Sequence, residues 1–468
     1  MKSQEEADEV LNEEINENDE ETQASERARA RHSRRVRNQI ISYLVVAVCL
    51  IAVGTGLYTG GKRFVGMVMK GREDARLAKE AAAAEAQRLA EENSDDGFSG
   101  EVIYENPGDT ETFYEEEVPQ HTDAELLDEM VDGLIADMPL KDKVAGLFMV
   151  TPEQLTNVDA AVKAGDGTEE ALQKFAVGGL IYGQKNIKSD EQIQEMLQKT
   201  GNMSKYPLFL AATEPGGADG DITKALSLEA IPSPSELAEG GDANAAKEAG
   251  EAIAKRMADV GFSLNLAPFV NLTTESMSDS ERALSYGSDA TLAIGILTEE
   301  IKAEEENGVH TVAMMFPSLP SSDESNSTKA TSDDLSGGEF RMFSAAIDAG
   351  SKIVMVGDLT APELVGDETP CTLSSVVIED TLRGTLDFDG VVMTAALDSK
   401  AITEKYEAAQ AAVEAVKAGA DILYRPADFE AAMNGVVDAV NSGTIPENRI
   451  DQSLRRIYRI KYADKMVG

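Results

Sequence analysis

The sequence has very few of the side chains that most often bind metals or transfer protons. Its 468 residues include 3 histidines, 2 cysteines and no tryptophan. So few imidazoles and thiols leave little material for a metal centre or for histidine-based acid–base chemistry. Two cysteines far apart in the chain imply no disulfide framework. We therefore expect no metal and no cofactor. The missing tryptophan also argues mildly against a carbohydrate site, because sugar-binding clefts often use large aromatic faces.

Positive charge is also scarce, since 42 basic residues face 85 acidic ones and the formal net charge is −43. A surface this acidic repels nucleic acid, so we expect no nucleic-acid partner. The length favours one to three domains, and a 42% apolar composition can supply a sizeable core.

One long stretch has no charge at all, "IISYLVVAVCLIAVGTGLYTGG". It predicts a single transmembrane helix over residues 39–61, long enough to cross about 30 Å of hydrocarbon. The arginine-rich "RARARHSRRVRNQ" precedes it, so the N-terminus is expected in the cytoplasm and the rest of the chain outside the cell membrane. Gly56 and Gly60 could pair two such helices in a dimer, although glycine is common in membrane helices anyway.

The flanks of this stretch differ in composition. Residues 1–38 predict a disordered, acidic cytoplasmic tail that ends in the basic cluster next to the membrane. Residues 62–95 are rich in alanine and charge and predict a helical stalk. Residues 96–121 predict an acidic linker. Residues 122–468 form the globular part.

Eight short apolar runs recur through this part, each separated from the next by a stretch with helical periodicity. They are "AGLFMV", "GGLIYG", "PLFLAA", "FSLNLAP", "HTVAMMF", "KIVMVG", "DGVVMT" and "GADILYR". Continuous apolar runs are typical of parallel strands buried on both faces. Eight strand–helix units predict an α/β fold, a (β/α)8 TIM-like barrel. A doubly wound sheet would show the same alternation.

Few ionisable residues follow these runs, at the strand ends where barrel proteins place their functional side chains. Glu214 and Asp358 are the acids nearest to a predicted strand end. Asp398 comes four residues after the seventh strand, where we expect it to cap the next helix. His310 begins its strand, away from the functional end, and is expected to be structural or solvent-facing.

Several segments resemble glycoside hydrolase family 3, in particular its single-barrel bacterial β-N-acetylhexosaminidase branch. They are "GFSLNLAP", "TPCTLSSVVIEDTLRGTLDFDGVVMTAALDSKAI", "AVEAVKAGADILYRP" and "IPENRIDQSLRRIYRIKYA". The resemblance covers about residues 123–465. It implies the barrel fold and an activity that hydrolyses O-glycosyl bonds.

The departures from that family pattern fall on its catalytic positions. The family nucleophile is an Asp at the end of the seventh strand, where this chain has Ala395 after Thr394. The Lys-His pair that grips the sugar at the end of the fifth strand is replaced by Met314 and Met315. Asn326 and its neighbour Ser327 fall about where the histidine of the acid–base dyad is expected.

Other family motifs are only partly kept. The D-x-E-G-G motif is "TEPGG", with Thr213 and Pro215 in place of the two acids. The R-S-F-G motif keeps Tyr286, but Leu284 replaces its arginine. The residues that we expect to line the pocket are Glu214, Tyr286, Met314, Met315, Asp358, Thr394, Ala395 and Asp398.

A retaining glycosidase needs two carboxyl groups about 5 Å apart, and neither family role is filled. The favoured interpretation is a membrane-anchored, catalytically inactive family 3-like protein that binds a cell-wall glycan, a muropeptide or an envelope protein. One alternative is an active β-N-acetylhexosaminidase-like hydrolase with relocated acids that converge at the barrel mouth. Another is a purely structural membrane scaffold, which predicts a mouth filled by side chains.

Overall fold

The computed structural model describes residues 122–275, 277–318, 326–328, 331 and 338–466. The predicted tail, transmembrane helix, stalk and linker, residues 1–121, lie outside this part of the chain. Within the described ranges, no helix is both long enough and apolar enough to cross a membrane.

Eight parallel strands form the centre of the fold. They are β1 Phe148–Val150, β2 Gly179–Ile181, β3 Phe209–Ala212, β4 Leu264–Asn265, β5 His310–Phe316, β6 Ile353–Val356, β7 Val391–Thr394 and β8 Leu423–Tyr424. Their order is β7-β6-β5-β4-β3-β2-β1-β8, and a bridge between Met393 and Ile422 brings the two edges together. The sheet is therefore a nearly closed barrel, which confirms the predicted barrel over the doubly wound alternative.

Helices surround the barrel. They are α1 Asp123–Asp137, α2 Leu140–Ala145, α3 Pro152–Thr156, α4 Asp166–Lys174, α5 Asp190–Met203, α6 Asp221–Leu226, α7 Pro234–Gly240, α8 Ala243–Val260, α9 Asp279–Ala283, α10 Ala290–Glu306, α11 Glu339–Asp348, α12 Pro362–Val365, α13 Lys400–Thr403, α14 Ala408–Ala418, α15 Phe429–Asn441 and α16 Glu447–Met466. Short 3-10 segments lie at Gln184–Asn186 and Cys371–Leu373, and Val376–Thr385 forms a π-helix.

The alternation of side chains along each strand divides the apolar residues between two layers. In β7, Val391 and Met393 pack in the barrel interior, whereas Val392 packs among the residues between barrel and helices. Because both faces of every strand are covered, a continuous apolar run is the pattern that this sheet requires.

Strand β5 departs from this alternation near its C-terminal end. Its pairing with β6 shifts register between Ala313 and Phe316, and Met315 has a left-handed φ of 74°. An extra residue of this kind locally bends a strand and redirects its side chains. As a result, the consecutive residues Met314 and Met315 both pack against the interior cluster of the barrel.

Helix α16 covers the N-terminal end of the barrel. Ile457 and Ile460 enter the interior cluster from this helix. Lys461 Nζ donates to Gly178 O at 2.5 Å and lies 4.7 Å from the centre of the Phe209 ring. The last helix therefore fills the end of the barrel that lies opposite the functional end.

A buried ion cluster holds α16 at this end. Asp421, just before β8, has a carboxylate that is fully buried and that accepts hydrogen bonds from the Val392 amide at 3.0 Å and from Ser453 Oγ at 2.6 Å. Three arginines contact the same carboxylate, at distances between 2.8 and 3.3 Å. They are Arg383, Arg449 and Arg456.

Candidate functional site

The C-terminal end of β7 carries a methyl group where the family pattern has a carboxylate. Ala395 continues the strand ladder, since its N–H donates to Val356 O at 2.8 Å, and it is 4% exposed. Thr394 is fully buried, and its Oγ1 accepts a hydrogen bond from the Tyr424 amide at 3.0 Å. Neither residue can act as a carboxylate nucleophile.

The side of the barrel mouth formed by β4 and β5 is apolar. Met314 and Met315 contact the interior cluster at this end, together with Phe269 from the loop after β4. Met314 is 8% exposed, and Met315 and Phe269 are half-buried. The positions where the family pattern has a Lys-His pair therefore present thioethers instead of hydrogen-bond donors.

Asp358 lies after β6 and is half-buried. Asn326 Nδ2 donates to Asp358 Oδ1 at 3.1 Å. The backbone holds this pair in place, because the Thr360 N–H donates to Asn326 O at 2.9 Å. Asn326, which falls about where the dyad histidine is expected, thus lies next to Asp358. The two form an amide–carboxylate pair without a histidine.

Glu214 does not lie in an open pocket, because it is fully buried. Its Oε2 accepts hydrogen bonds from the Ile222 and Thr223 amides, at 3.0 and 3.3 Å. Arg256 Nη1 lies 3.3 Å from its Oε1. A Cβ on Gly220 would lie 2.4 Å from this carboxyl group, so the glycine is needed for the close approach. Glu214 therefore caps α6, and it cannot serve as a relocated catalytic acid.

Tyr286 also faces away from the mouth. Its hydroxyl is fully buried and donates to Glu300 Oε2 at 2.8 Å, behind the barrel wall. The residue borders a separate cleft of about 490 Å³ that α7, α9 and the start of α10 enclose. The Tyr286 side chain therefore does not line the barrel pocket, and that prediction is wrong.

Two buried carboxyl groups of α10 lie in the same layer, and sequence reasoning missed both. Burial raises the pKa of Glu300 to about 7, although the hydrogen bond from Tyr286 opposes the rise. Burial and the neighbouring Glu300 raise the pKa of Glu304 well above its usual value. Asn265 Nδ2 donates to Glu304 Oε2 at 2.8 Å. Because both carboxyls are sealed from solvent, neither can reach a substrate.

The side of the mouth formed by β7 and β8 is charged. Arg425 follows β8 directly, and its Nη2 donates to Asp398 Oδ2 at 2.7 Å. The guanidinium carbon lies 5.8 Å from the centre of the Tyr424 ring. Asp398 does not cap α13, where Ser399 is the N-cap, so that prediction is wrong. Sequence reasoning also missed Arg425, although a basic residue at a strand end was the available signal.

His310 agrees with its structural interpretation. It is 5% exposed at the start of β5, and its Nδ1 lies 3.0 Å from Glu305 Oε2. Across the described ranges, no three histidine, cysteine or acidic side chains form a group that could hold a metal ion.

The model of the glycosyl hydrolase family 3 N terminal domain matches residues 140–460. The chain belongs to glycoside hydrolase family 3. Among its family 3 relatives, beta-hexosaminidase A from Pseudoalteromonas piscicida is 25% identical over 331 residues, which are 62% of this chain and 54% of the relative. Beta-hexosaminidase LpqI from Mycobacterium tuberculosis is 25% identical over 70% of this chain and 84% of its own length.

Solved family 3 structures show the same barrel. A beta-N-acetylglucosaminidase from Paenibacillus sp. str. FPU-7 matches with a TM-score of 0.65 and 28% identity, covering 71% of this chain and 64% of that one. LpqI from M. tuberculosis matches with a TM-score of 0.61 and 23% identity, over 71% of this chain and 96% of its own. The chain is therefore a beta-hexosaminidase-like member of the family that spans about half to two thirds of some relatives.

Proposed function

We propose that this family 3 protein binds a cell-wall saccharide without hydrolysing it. The single observation that carries this proposal is Ala395 at the end of β7, where the nucleophile of the family pattern would lie. Removing a nucleophile takes away the covalent route through which retaining glycosidases act. All eight strands of the nearly closed barrel are kept around that position, which favours a retained binding role.

The other acids near the mouth support the same proposal. Asp398 is paired with Arg425, Asp358 accepts a hydrogen bond from Asn326, and Glu214 is sealed beneath the surface. Each carboxylate therefore has a structural partner. General acid–base help normally contributes about 10²–10⁴-fold, and no histidine dyad supplies it among the described residues of the mouth.

The test is turnover of an aryl β-N-acetylglucosaminide by the purified full chain, beside Ala395→Asp. We expect background rates from both, because the acid–base dyad and the sugar-gripping Lys-His pair are replaced as well. Ala396→Asp is the matched control, since it adds the same carboxylate one residue further along the turn.

Turnover by the natural chain well above background would overturn the proposal. It would favour the hydrolase with relocated acids, the activity that the names of the beta-hexosaminidase relatives suggest. Asp358→Asn and Asp398→Asn would then identify the acid. Turnover by Ala395→Asp alone would instead mean that only the nucleophile has been lost.

We also propose that residues 39–61 anchor the protein in the cell membrane, with the barrel outside. The uncharged stretch and the preceding arginines support this arrangement. The saccharide ligand, an envelope protein partner and a dimer through the anchor are proposals of the same standing. Carbonate extraction of membranes tests the anchor, because a peripheral protein is released by it.

A further inference from the structure

We propose that Arg425 anchors a carboxylate of the ligand in the barrel mouth, so that the ligand is an acidic sugar. This inference rests on the proposed binding function and deepens it by naming the ligand class. The family pattern places its sugar-gripping basic residues after β4 and near the end of β5, at positions that are Leu284, Met314 and Met315 here. Among the described residues, Arg425 places a basic group at this mouth after β8 instead.

The position of Arg425 is fixed by the strand ladder. Its N–H donates to Met149 O at 2.9 Å, and the Leu397 N–H donates to Tyr424 O at 2.9 Å. These bonds place Arg425 beside the turn that carries Ala395. A carboxylate held by this guanidinium would therefore lie next to the position where the family pattern has its nucleophile.

Arg425 carries two unfavourable features that its packing does not relieve. Its φ of 43° lies in the left-handed region, which costs free energy for any residue with a Cβ. Its Nε is enclosed and has no acceptor among the described residues. Strain and an unsatisfied donor at one residue are typical of positions that are kept for function.

The guanidinium has donors to spare. It carries five N–H groups, of which Asp398 accepts one from Nη2 and the Tyr424 hydroxyl is a second hydrogen-bonding partner, so further N–H groups are left over. The Arg425 side chain is 40% exposed and the Asp398 side chain 27%. A planar guanidinium can hold a second carboxylate through two parallel hydrogen bonds, which a lysine cannot do.

The rest of the mouth suits the non-polar part of such a ligand. Phe269, Met314 and Met315 offer apolar contacts on the opposite side of the barrel. Methionine side chains are flexible and adapt to apolar surfaces of irregular shape. An acidic sugar presents both surfaces, a carboxylate at one edge and an apolar ring face.

The experiment is calorimetric titration of the full chain with N-acetylmuramic acid and with N-acetylglucosamine, which differ by the lactyl ether on O3 that carries the carboxylate. We expect the acidic sugar to bind at least tenfold more tightly, since a charge-assisted hydrogen bond is among the stronger polar contacts. Arg425→Gln should abolish that preference. Arg455→Gln is the matched control, because Arg455 forms an exposed ion pair with Asp132 and belongs to α16 at the opposite end.

Asp398→Asn gives a second readout of opposite sign. Removing the competing carboxylate should tighten binding of the acidic sugar severalfold and leave the neutral sugar unchanged. This variant decides the question even if Arg425→Gln does not fold.

Three results would count against the inference. Equal affinity for both sugars, or a preference that survives Arg425→Gln, would overturn the carboxylate anchor while saccharide binding stands. An unchanged affinity in Asp398→Asn would also contradict the anchor. Binding of neither sugar would overturn the saccharide-binding proposal and the anchor together.

Discussion

Contacts between arginine and carboxylate groups lie at both ends of strand β8, but they differ in burial and in the number of partners. At its start, the buried carboxylate of Asp421 is surrounded by three arginines, a serine hydroxyl and a backbone amide. At its end, Arg425 has one carboxylate partner and an enclosed Nε without an acceptor. The buried cluster holds the fold together, although Arg383 Nε in it also lacks an acceptor among the described residues. The half-exposed Arg425 side chain instead leaves its outer N–H groups within reach of a ligand.

The difference in burial determines how much stability we expect to be lost when one partner of each ion pair is removed. Removing one member of a buried ion pair costs about 3–5 kcal/mol, because the remaining charges are left without compensation. An exposed pair is worth at most about 1 kcal/mol, since water screens it. Asp421 is fully buried, whereas the Arg425 and Asp398 side chains keep 40% and 27% of their exposure.

The largest loss of stability is expected from Asp421→Asn. The amide has nearly the same shape but leaves three arginines near a neutral group, so we expect unfolding free energy to fall by about 3–5 kcal/mol. Urea denaturation at neutral pH measures this change. Asp398→Asn is the matched control and should change stability by less than about 1 kcal/mol. Equal losses of stability in Asp421→Asn and Asp398→Asn would contradict the proposed difference between the two ends of β8.

The next effect concerns Glu300 and Glu304, buried carboxyls that form no ion pair with the described residues. The pKa of Glu300 is raised from 4.5 to about 7. A raised folded-state pKa gives stability that is present below pH 4.5 and lost as pH rises through 7. The loss amounts to about 3 kcal/mol. Glu300→Gln should therefore lose much less stability than the natural chain between pH 5 and pH 8, as measured by urea denaturation at both values.

Glu299→Gln provides the control for this pH dependence. Glu299 precedes Glu300 in α10, but its side chain is 37% exposed and lies 3.8 Å from Lys302. Its substitution should leave the pH dependence as it is in the natural chain. Glu304 has a pKa shifted in the same direction, so some loss of stability with rising pH should persist in Glu300→Gln. An unchanged slope in Glu300→Gln would contradict the prediction.

The smallest expected change in stability reports the backbone strain at Arg425. Arg425→Gly and Arg425→Ala both remove the side chain, but only glycine adopts a left-handed φ without cost. We expect the glycine variant to be more stable than the alanine variant by about 1 kcal/mol in the same denaturation assay.

The same pair of substitutions at Arg455 should give the opposite sign. Arg455 lies within α16, where glycine is less favourable than alanine by about 1 kcal/mol. Alanine as stable as glycine at position 425 would mean that the left-handed backbone stores no strain there.

The strands were predictable from the sequence because each is buried on both faces. All eight apolar runs became strands, and the pairing of β7 with β8 placed them in a barrel. A continuous run such as Val391–Met393 leaves little choice, since no other common element of that length buries both faces.

The strand-end acids were harder to predict because their side chains depend on the segment that follows. Glu214 comes directly after β3, as a pocket acid would, but α6 directs two amides at its carboxylate. Asp398 precedes a helix, as a cap would, but β8 brings Arg425 within 2.7 Å of it. These partners are distant in sequence or lie across a turn, so local spacing could not reveal them.

The buried carboxyls were invisible to the sequence pattern for a different reason. A glutamate in a helix is normally assigned to the solvated face, whereas Glu300 and Glu304 occupy the buried face of α10. The tyrosine and asparagine that donate to them offset the cost of this burial, and both come from other elements.

The helix that fills the lower end of the barrel also sets an order of events during folding. Lys461 bonds to Gly178 across a separation of 283 residues, and Ile457 and Ile460 complete the interior from the same late segment. Until β8 has been synthesised, β1 lacks this neighbour, and until α16 follows β8, the lower end of the interior stays open to water. Such distant contacts slow folding, because a long loop must close before they form. Nascent chains thus expose unpaired strand edges until synthesis of the barrel is almost complete, which is when assistance from chaperones matters most.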